Sequence, residues 1–195
     1  MRQSLVQAMH HTKPRIAFQK RSIQQPLMKN TLADMAIEVE AALAIGLRVA
    51  RAMDNSQEPS EAAFARVGTT LAKYWNTKRC PPLVVEALEC HGGPGYVEES
   101  IMPRLYREAP LNSIWEGSGN VMGLDVLRVI SREPEALSAF LTEVQQARSL
   151  DDKLDSSLDL LKQELDNPKD MESRMRMISE LMALTLQGTF FNAIR

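Results

Sequence analysis

The sequence predicts an all-α fold, on three observations. Aromatic residues make up only 5% of the 195 residues, whereas methionine alone numbers 11. Met and Leu suit helical cores, and β-branched and aromatic residues suit strands. Apolar residues recur at spacings of three and four over long stretches, and no segment sustains the alternation of a half-buried strand. A chain of this length suits one core and can bury roughly 70% of its unfolded surface, so it needs no disulfide framework. The two cysteines, Cys80 and Cys90, fit a reducing interior, and a cytoplasmic location is expected.

The elements follow in order. Residues 2–12 read as the end of a helix with Leu5, Val6 and Met9 on one side, and Pro14 stops it. A basic link from Lys13 to Gln25 carries Lys13, Arg15, Lys20 and Arg21. Pro26 suits a first helical position, where its missing N–H costs nothing. Leu32, Met35, Val39, Leu43, Val49 and Met53 then predict one long helix to about Met53. Gly46 within it suggests a close helix crossing. After the turn cluster Asp54–Glu58, Pro59 restarts a helix whose face is Phe64, Val67, Leu71 and Tyr74. Pro81-Pro82 are expected to open a third helix, with Leu83, Val84, Ala87 and Leu88, which ends at Gly92-Gly93-Pro94-Gly95. A fourth runs from Ser118 to Ile130.

Beyond Glu133-Pro134 the texture changes, and the chain divides at residue 132. Leu150, Leu154, Leu158, Leu161 and Leu165 form one stripe, and Met171, Met175, Ile178 and Met182 another. Residues 150–187 read as an antiparallel helical hairpin, with Asn167 as N-cap, Pro168 at N1 and Asp170 at N3 of its second helix. Residues 1–132 hold 16 Lys and Arg against 13 Asp and Glu, a net of +3; residues 133–195 hold 7 against 12, a net of −5. The second part is therefore a solvated acidic helical segment. The overall charge of −2 argues against a bulk nucleic-acid footprint. No run approaches 18 apolar residues, so no membrane partner is expected, and no signal peptide is visible at the N-terminus.

Few constellations could carry chemistry. His10-His11 point about 100° apart on a helix and make a poor chelate. Cys80, Cys90 and His91 lack metal-ligand spacing and read as inert. Gly117-Ser118-Gly119 begins a dinucleotide fingerprint, but Met122 stands where its last glycine should be and no strand precedes it. Gly92-Gly93-Pro94-Gly95 holds more glycines than a helix end needs and could bring backbone N–H groups to a phosphate. Trp115-Glu116-Gly117-Ser118 sets a carboxylate beside an indole on a turn. Glu116 is either a partly desolvated base or a solvent-facing residue before a helix capped by Ser118.

Arg15-Ile16-Ala17-Phe18, Gly92-Gly93-Pro94-Gly95-Tyr96, Arg107-Glu108-Ala109 and Trp115-Glu116-Gly117-Ser118 stand in one order. Together they resemble the C-terminal helical domain of flavin-dependent acyl-CoA dehydrogenases, whose R-x-x-F-G, Q-x-x-G-G-x-G-Y/F, R-D-A and Y-E-G-T elements are similarly spaced. The resemblance covers about residues 2–132. The variant W-E-G-S-G-N, followed by Leu124-Asp125-Val126-Leu127-Arg128, is similar to the AidB-like branch, linked to the adaptive response to DNA alkylation. In that branch the chain continues into further helices, so the resemblance implies a four-helix bundle with additional C-terminal helices.

The resemblance also implies a chemistry. The family oxidises an acyl-CoA thioester to the 2,3-enoyl-CoA: a glutamate takes the α-proton while the β-hydride passes to flavin N5. Glu116 matches that base. Trp115, Ser118 and Asn120 match positions near FAD. Arg15 and Phe18 match contacts to the FAD of a neighbouring subunit, and Gly92 and Gly93 the loop that approaches the same dinucleotide. The implied assembly is a homo-oligomer, a dimer or a dimer of dimers. Gln19 stands where glycine is usual and Glu89 where glutamine is common. Pro26 replaces a further glutamine, with Gln25 beside it to take its contact. The missing N-terminal and β-domains, and the apolar ending Phe190–Arg195, lead to the expectation of an inactive fragment of a longer enzyme. The alternative is a DNA-binding or protective protein with vestigial catalysis.

Overall fold

A computed structural model describes residues 1–193. Helix follows helix: α1 (Arg2–Thr12), α2 (Pro26–Asp54), α3 (Pro59–His91), α4 (Gly93–Tyr96), α5 (Met102–Glu108), α6 (Gly119–Arg132), α7 (Pro134–Gln145), α8 (Asp152–Asp166) and α9 (Met171–Ala193). The all-α expectation therefore holds. Ile194 and Arg195, the end of the apolar terminal segment, lie outside the described residues. Among the described residues no helix is long and apolar enough to cross a membrane.

Two compact units share α2 and α3. The first comprises Met1–Glu40 and Thr77–Trp115. Its core gathers Leu5 and Ala8 of α1, Met35 and Val39 of α2, Val84 and Ala87 of α3, and Met102 of α5. Arg79 on α3 donates from Nε and Nη2 to Glu38 on α2, both at 2.9 Å. Cys90 is buried here, and loss of solvent, with Glu86 and Glu89 nearby, pushes its thiol up to about 11. That agrees with an inert cysteine.

The link from Lys13 to Gln25 holds a feature too short to show as a sequence pattern. Ile16–Ala17 and Lys20–Arg21 pair antiparallel, with Ala17 opposite Lys20. Phe18 (φ 51°) and Gln19 (φ 65°) form the two-residue turn. Two successive positive φ values match the turn twist that right-twisted hairpins favour.

The second unit comprises Ala41–Asn76 and Glu116–Arg195. One core joins Ile45 and Val49 of α2, Phe64 and Leu71 of α3, Val126 of α6, Phe140 of α7, Leu158 of α8 and Ile178 of α9. Each such fully buried side chain contributes about 1.5–3 kcal/mol. The division expected at residue 132 falls between α6 and α7, both within this unit.

Three local expectations are corrected. Pro81-Pro82 do not open a helix, because α3 runs unbroken from Pro59 to His91 through both prolines. Two prolines forfeit helical N–H bonds, but buried Phe64, Val67 and Leu71 before them and Leu83, Val84 and Ala87 after them hold the helix on either side. Gly46 marks no close crossing, since a Cβ there would meet nothing within 4 Å. The tight position is Gly68, where a Cβ would stand 3.1 Å from Val49 Cγ2. Asn167 does not cap the last helix. It is the C-cap of α8, and its Oδ1 accepts from Lys169 N at 3.1 Å. Asp170 lies at φ 50°, outside helical geometry, so α9 begins at Met171.

The hairpin reading of the C-terminal segment holds. Asp151 caps α8, its carboxylate accepting from Lys153 N and Leu154 N. Arg174 bonds Glu164 near the connection, and Gly188 lies against Leu154 farther out. Those two pairings fix an antiparallel register. Helix α7 adds a stripe of its own, with Ala136, Phe140 and Val144 buried at spacings of four, whereas the seven residues of α5 are too few to show one.

Candidate active site

Glu116 is set by a turn of unusual backbone. The 3₁₀ segment Ala109–Ser113 leads into Ile114 and Trp115, whose N–H donates to Leu111 O at 3.2 Å. Glu116 then adopts φ 53° and Gly117 φ 112°. A non-glycine residue in the left-handed region costs about 1 kcal/mol and persists where its surroundings enforce it. Position 117 admits only glycine, because its φ excludes ordinary side chains and a Cβ would overlap the Met122 methyl. Ser118 is the N-cap of α6 by position, but its side chain makes no cap bond. Helix α6 is instead started by Met122 N donating to Ser118 O at 2.9 Å and seated by buried Gly119, Gly123, Val126 and Val129.

Glu116 is exposed in this chain and lies on a pocket of about 570 Å³. Met53, Ala62, Ala65 and Met122 give the pocket an apolar wall, and Arg66 and Asp125 a polar side. Arg66 donates to both Asp125 oxygens at 2.8 Å and to Glu133 Oε1 at 3.1 Å. The Thr70 hydroxyl donates to Asp125 Oδ2 at 2.7 Å. The Arg66 bonds, against the opposing effect of burial, hold the Asp125 carboxyl below its ordinary range. Arg66 carries no sequence signal, since its partner lies 59 residues away.

The first unit places the other candidates on two segments. Arg15 leads into the hairpin, Phe18 stands at its turn, and Gln25 follows it, just before α2. Ser22 N donates to Arg15 O at 2.7 Å, and Gln25 Nε2 donates to Ala17 O at 3.1 Å. The side chain of Gln25 therefore braces the hairpin. Phe18 at its tip is 94% exposed, and Arg15 is exposed beside it. Gly92 (φ 67°) is the single residue between α3 and α4 and Gly93 the first of α4, and a Cβ on either would meet nothing within 4 Å. The His11 and His91 rings stack at 4.6 Å, so the chain enters the hairpin and the glycine turn from one point. His91 Nδ1 lies 2.7 Å from Ala87 O, which only accepts, so Nδ1 carries the proton. Burial, then the neighbouring His91, pushes the His11 imidazole down.

Trp115 closes the first unit, and Glu116, Ser118 and Asn120 open the second. A dinucleotide cofactor needs a cation for its pyrophosphate, approachable backbone amides and aromatic cover. Arg15, the open Gly92-Gly93 backbone, and exposed Phe18 and Trp115 supply these groups. The residues present fit such a group.

Comparison with known proteins yields consistent matches. The sequence model of the C-terminal domain of acyl-CoA dehydrogenase matches residues 1–131. AidB of Escherichia coli (strain K12) is 43% identical over 168 residues, 86% of this chain and 31% of its own. The crystal structure of Caenorhabditis elegans ACDH-11 in complex with C11-CoA superposes with a TM-score of 0.89 at 30% identity, over 96% of this chain and 36% of that one. An acyl-CoA dehydrogenase complexed with FAD from Bacillus anthracis shares the fold, with a TM-score of 0.69 at 21% identity over 99% of this chain and 37% of that one. The chain spans about a third of the curated relatives it matches.

Proposed function

The chain belongs to the acyl-CoA dehydrogenase family, as its C-terminal domain, and we propose that the full-length protein is an FAD-dependent dehydrogenase whose base is Glu116. The observation that carries this reading is the Trp115–Ser118 turn. It presents a carboxylate from a strained backbone at the rim of a pocket with an apolar wall. In this reading residues 1–132 are the family bundle and 133–195 an AidB-like extension, in a cytoplasmic homo-oligomer, dimer or tetramer.

Glu116 accepts the α-proton of an acyl-CoA thioester. An acyl group in the pocket excludes water from the carboxylate, and a carboxylate stripped of water binds a proton more tightly. FAD, when bound, supplies the acceptor for the β-hydride. Arg15 neutralises pyrophosphate charge, Phe18 and Trp115 offer aromatic cover, and Gly92 and Gly93 admit close approach of the dinucleotide. Gln25 braces the hairpin that Arg15 leads into, and Ser118 and Asn120 offer polar contacts at the start of α6. The test is acyl-CoA oxidation by the full-length, FAD-loaded protein and its Glu116→Gln variant. Turnover is expected to fall by at least about 10²-fold; undiminished turnover would remove Glu116 from the role.

One observation favours a second reading, DNA binding with vestigial catalysis, as the AidB-like resemblance implies. Lys13, Arg15, Lys20 and Arg21 all stand exposed on or beside the hairpin. Phosphate contacts release counterions, so retention on DNA should weaken steeply between low and moderate salt. Retention indifferent to salt sinks a backbone-driven mode.

A further inference from the structure

The Glu116 turn is strained, and something must hold it. Glu116 at φ 53° and Gly117 at φ 112° are successive left-handed residues. Ser118, the next residue, contributes no side-chain cap bond. The Met122 side chain does meet the turn: its methyl covers Gly117 at the place a Cβ would occupy, with Sδ 3.4 Å from that point. Met122 also lines the pocket that Glu116 borders.

Met122 is backed in turn by the C-terminal hairpin. It packs on a small cluster of Tyr74, Trp75 and Ala183, all buried. Trp75 Nε1 donates to Gln187 Oε1 at 3.3 Å, a bond buried on both sides. The Tyr74 hydroxyl donates to Arg176 O at 3.2 Å. Ala183, Gln187 and Arg176 all belong to α9, outside the span matched by the family domain. Helix α9 also lies close behind α6, since a Cβ on Gly123 would stand 3.7 Å from Met175 Cβ.

We propose that Met122 is a positioning residue for the Glu116 turn, and that α9 holds Met122 in place through Trp75 and Gln187. The extension is thus part of the device that presents the carboxylate. A thioether suits this task because it is apolar, unbranched and able to fill an irregular gap against a glycine. Its catalytic consequence rests on the reading of Glu116 as the base. Displacement of a reacting group by about 1 Å costs on the order of 10²-fold in rate, so a small relaxation of the turn is enough.

The experiment uses the full-length, FAD-loaded protein labelled with 5-fluorotryptophan. The resonances of Trp115 and Trp75 are assigned from Trp115→Phe and Trp75→Phe. Met122→Ala is expected to shift the Trp115 resonance and to lower kcat on the order of 10²-fold, with KM little changed. Gln187→Ala, remote from the turn, should move the same resonance in the same direction, and Met122→Leu should restore most of kcat. Were Met122→Ala to fail to fold, Gln187→Ala and Met122→Leu would carry the comparison. A Trp115 resonance that stays fixed in the folded variants overturns the proposal. Failure of the base reading shows separately, as full turnover in Glu116→Gln, and leaves the resonances to decide whether Met122 positions the turn.

Discussion

Arg66 holds Asp125 through two parallel hydrogen bonds, Nη1 to Oδ2 and Nη2 to Oδ1, each 2.8 Å. The fork joins α3 to α6 and places a fixed charge pair beside the pocket that Glu116 borders. Glu133 takes a further bond from Nη2, so the guanidinium also fixes the junction between α6 and α7.

Asp125→Asn should therefore destabilise the protein in a pH-dependent way. The folded-state carboxyl is depressed, chiefly by Arg66. Its stabilisation is present above the unfolded carboxylate range, near pH 4, and is lost as pH falls through the depressed value. Both side chains are partly exposed, which limits the cost at pH 7 to about 1–2 kcal/mol. Urea unfolding at pH 7 and pH 2.5 checks this. The gap between wild type and variant should close at the lower pH, and a gap of constant size would contradict the assignment.

Arg48 should matter more. Its guanidinium is forked to Glu143 (2.8 and 3.1 Å) and to Glu61 (2.7 and 3.1 Å) and lies 4.0 Å over the Phe64 ring. The arginine side chain is only 11% exposed. Arg48→Ala leaves two neighbouring carboxylates uncompensated, which should cost about 3–5 kcal/mol. Arg48→Lys should recover only part, because an ammonium cannot fork to two carboxylates. Chemical unfolding measures both, and a loss under about 1 kcal/mol for Arg48→Ala would mean that solvent screens the cluster.

What the sequence made legible follows from where the information lies. The long helices show because their stripes repeat locally, and the Glu116 turn shows because Trp115–Ser118 is a contiguous string. The Arg66–Asp125 and Arg48–Glu143 forks are invisible because their partners are 59 and 95 residues apart. Pro81-Pro82 misled because local propensity speaks for a break, whereas the packing of Leu71 before and Val84 after them decides for continuity. Gly46 and Gly68 look alike as letters, and only the side chains around them, Phe64 and Val49 at Gly68 and none at Gly46, separate the tight position from the open one. Asn167 and Asp151 both carry cap chemistry. Asp151 caps, while the left-handed Asp170 displaces the helix start beyond the reach of Asn167.

The hairpin tip supplies a prediction in the opposite direction, a substitution that stabilises. Gln19 stands where the resembling family usually has glycine, and the reason for that glycine is now visible: residue 19 is the second position of a two-residue turn, at φ 65°. Such turns favour Asn-Gly because both central residues need positive φ. Phe18 bears the same strain at φ 51°, but its exposed ring has a proposed role and should be kept. Gln19→Gly removes the left-handed penalty, partly offset by the greater freedom of glycine in the unfolded chain. A net gain of about 0.5 kcal/mol in the hairpin is expected. Ser22 N, bonded to Arg15 O at 2.7 Å across the hairpin base, is the reporter. Its amide hydrogen exchange should slow about twofold in the variant, as that free energy implies through local opening. Exchange that is unchanged or faster would show that the Gln19 side chain contributes to the hairpin more than its backbone costs.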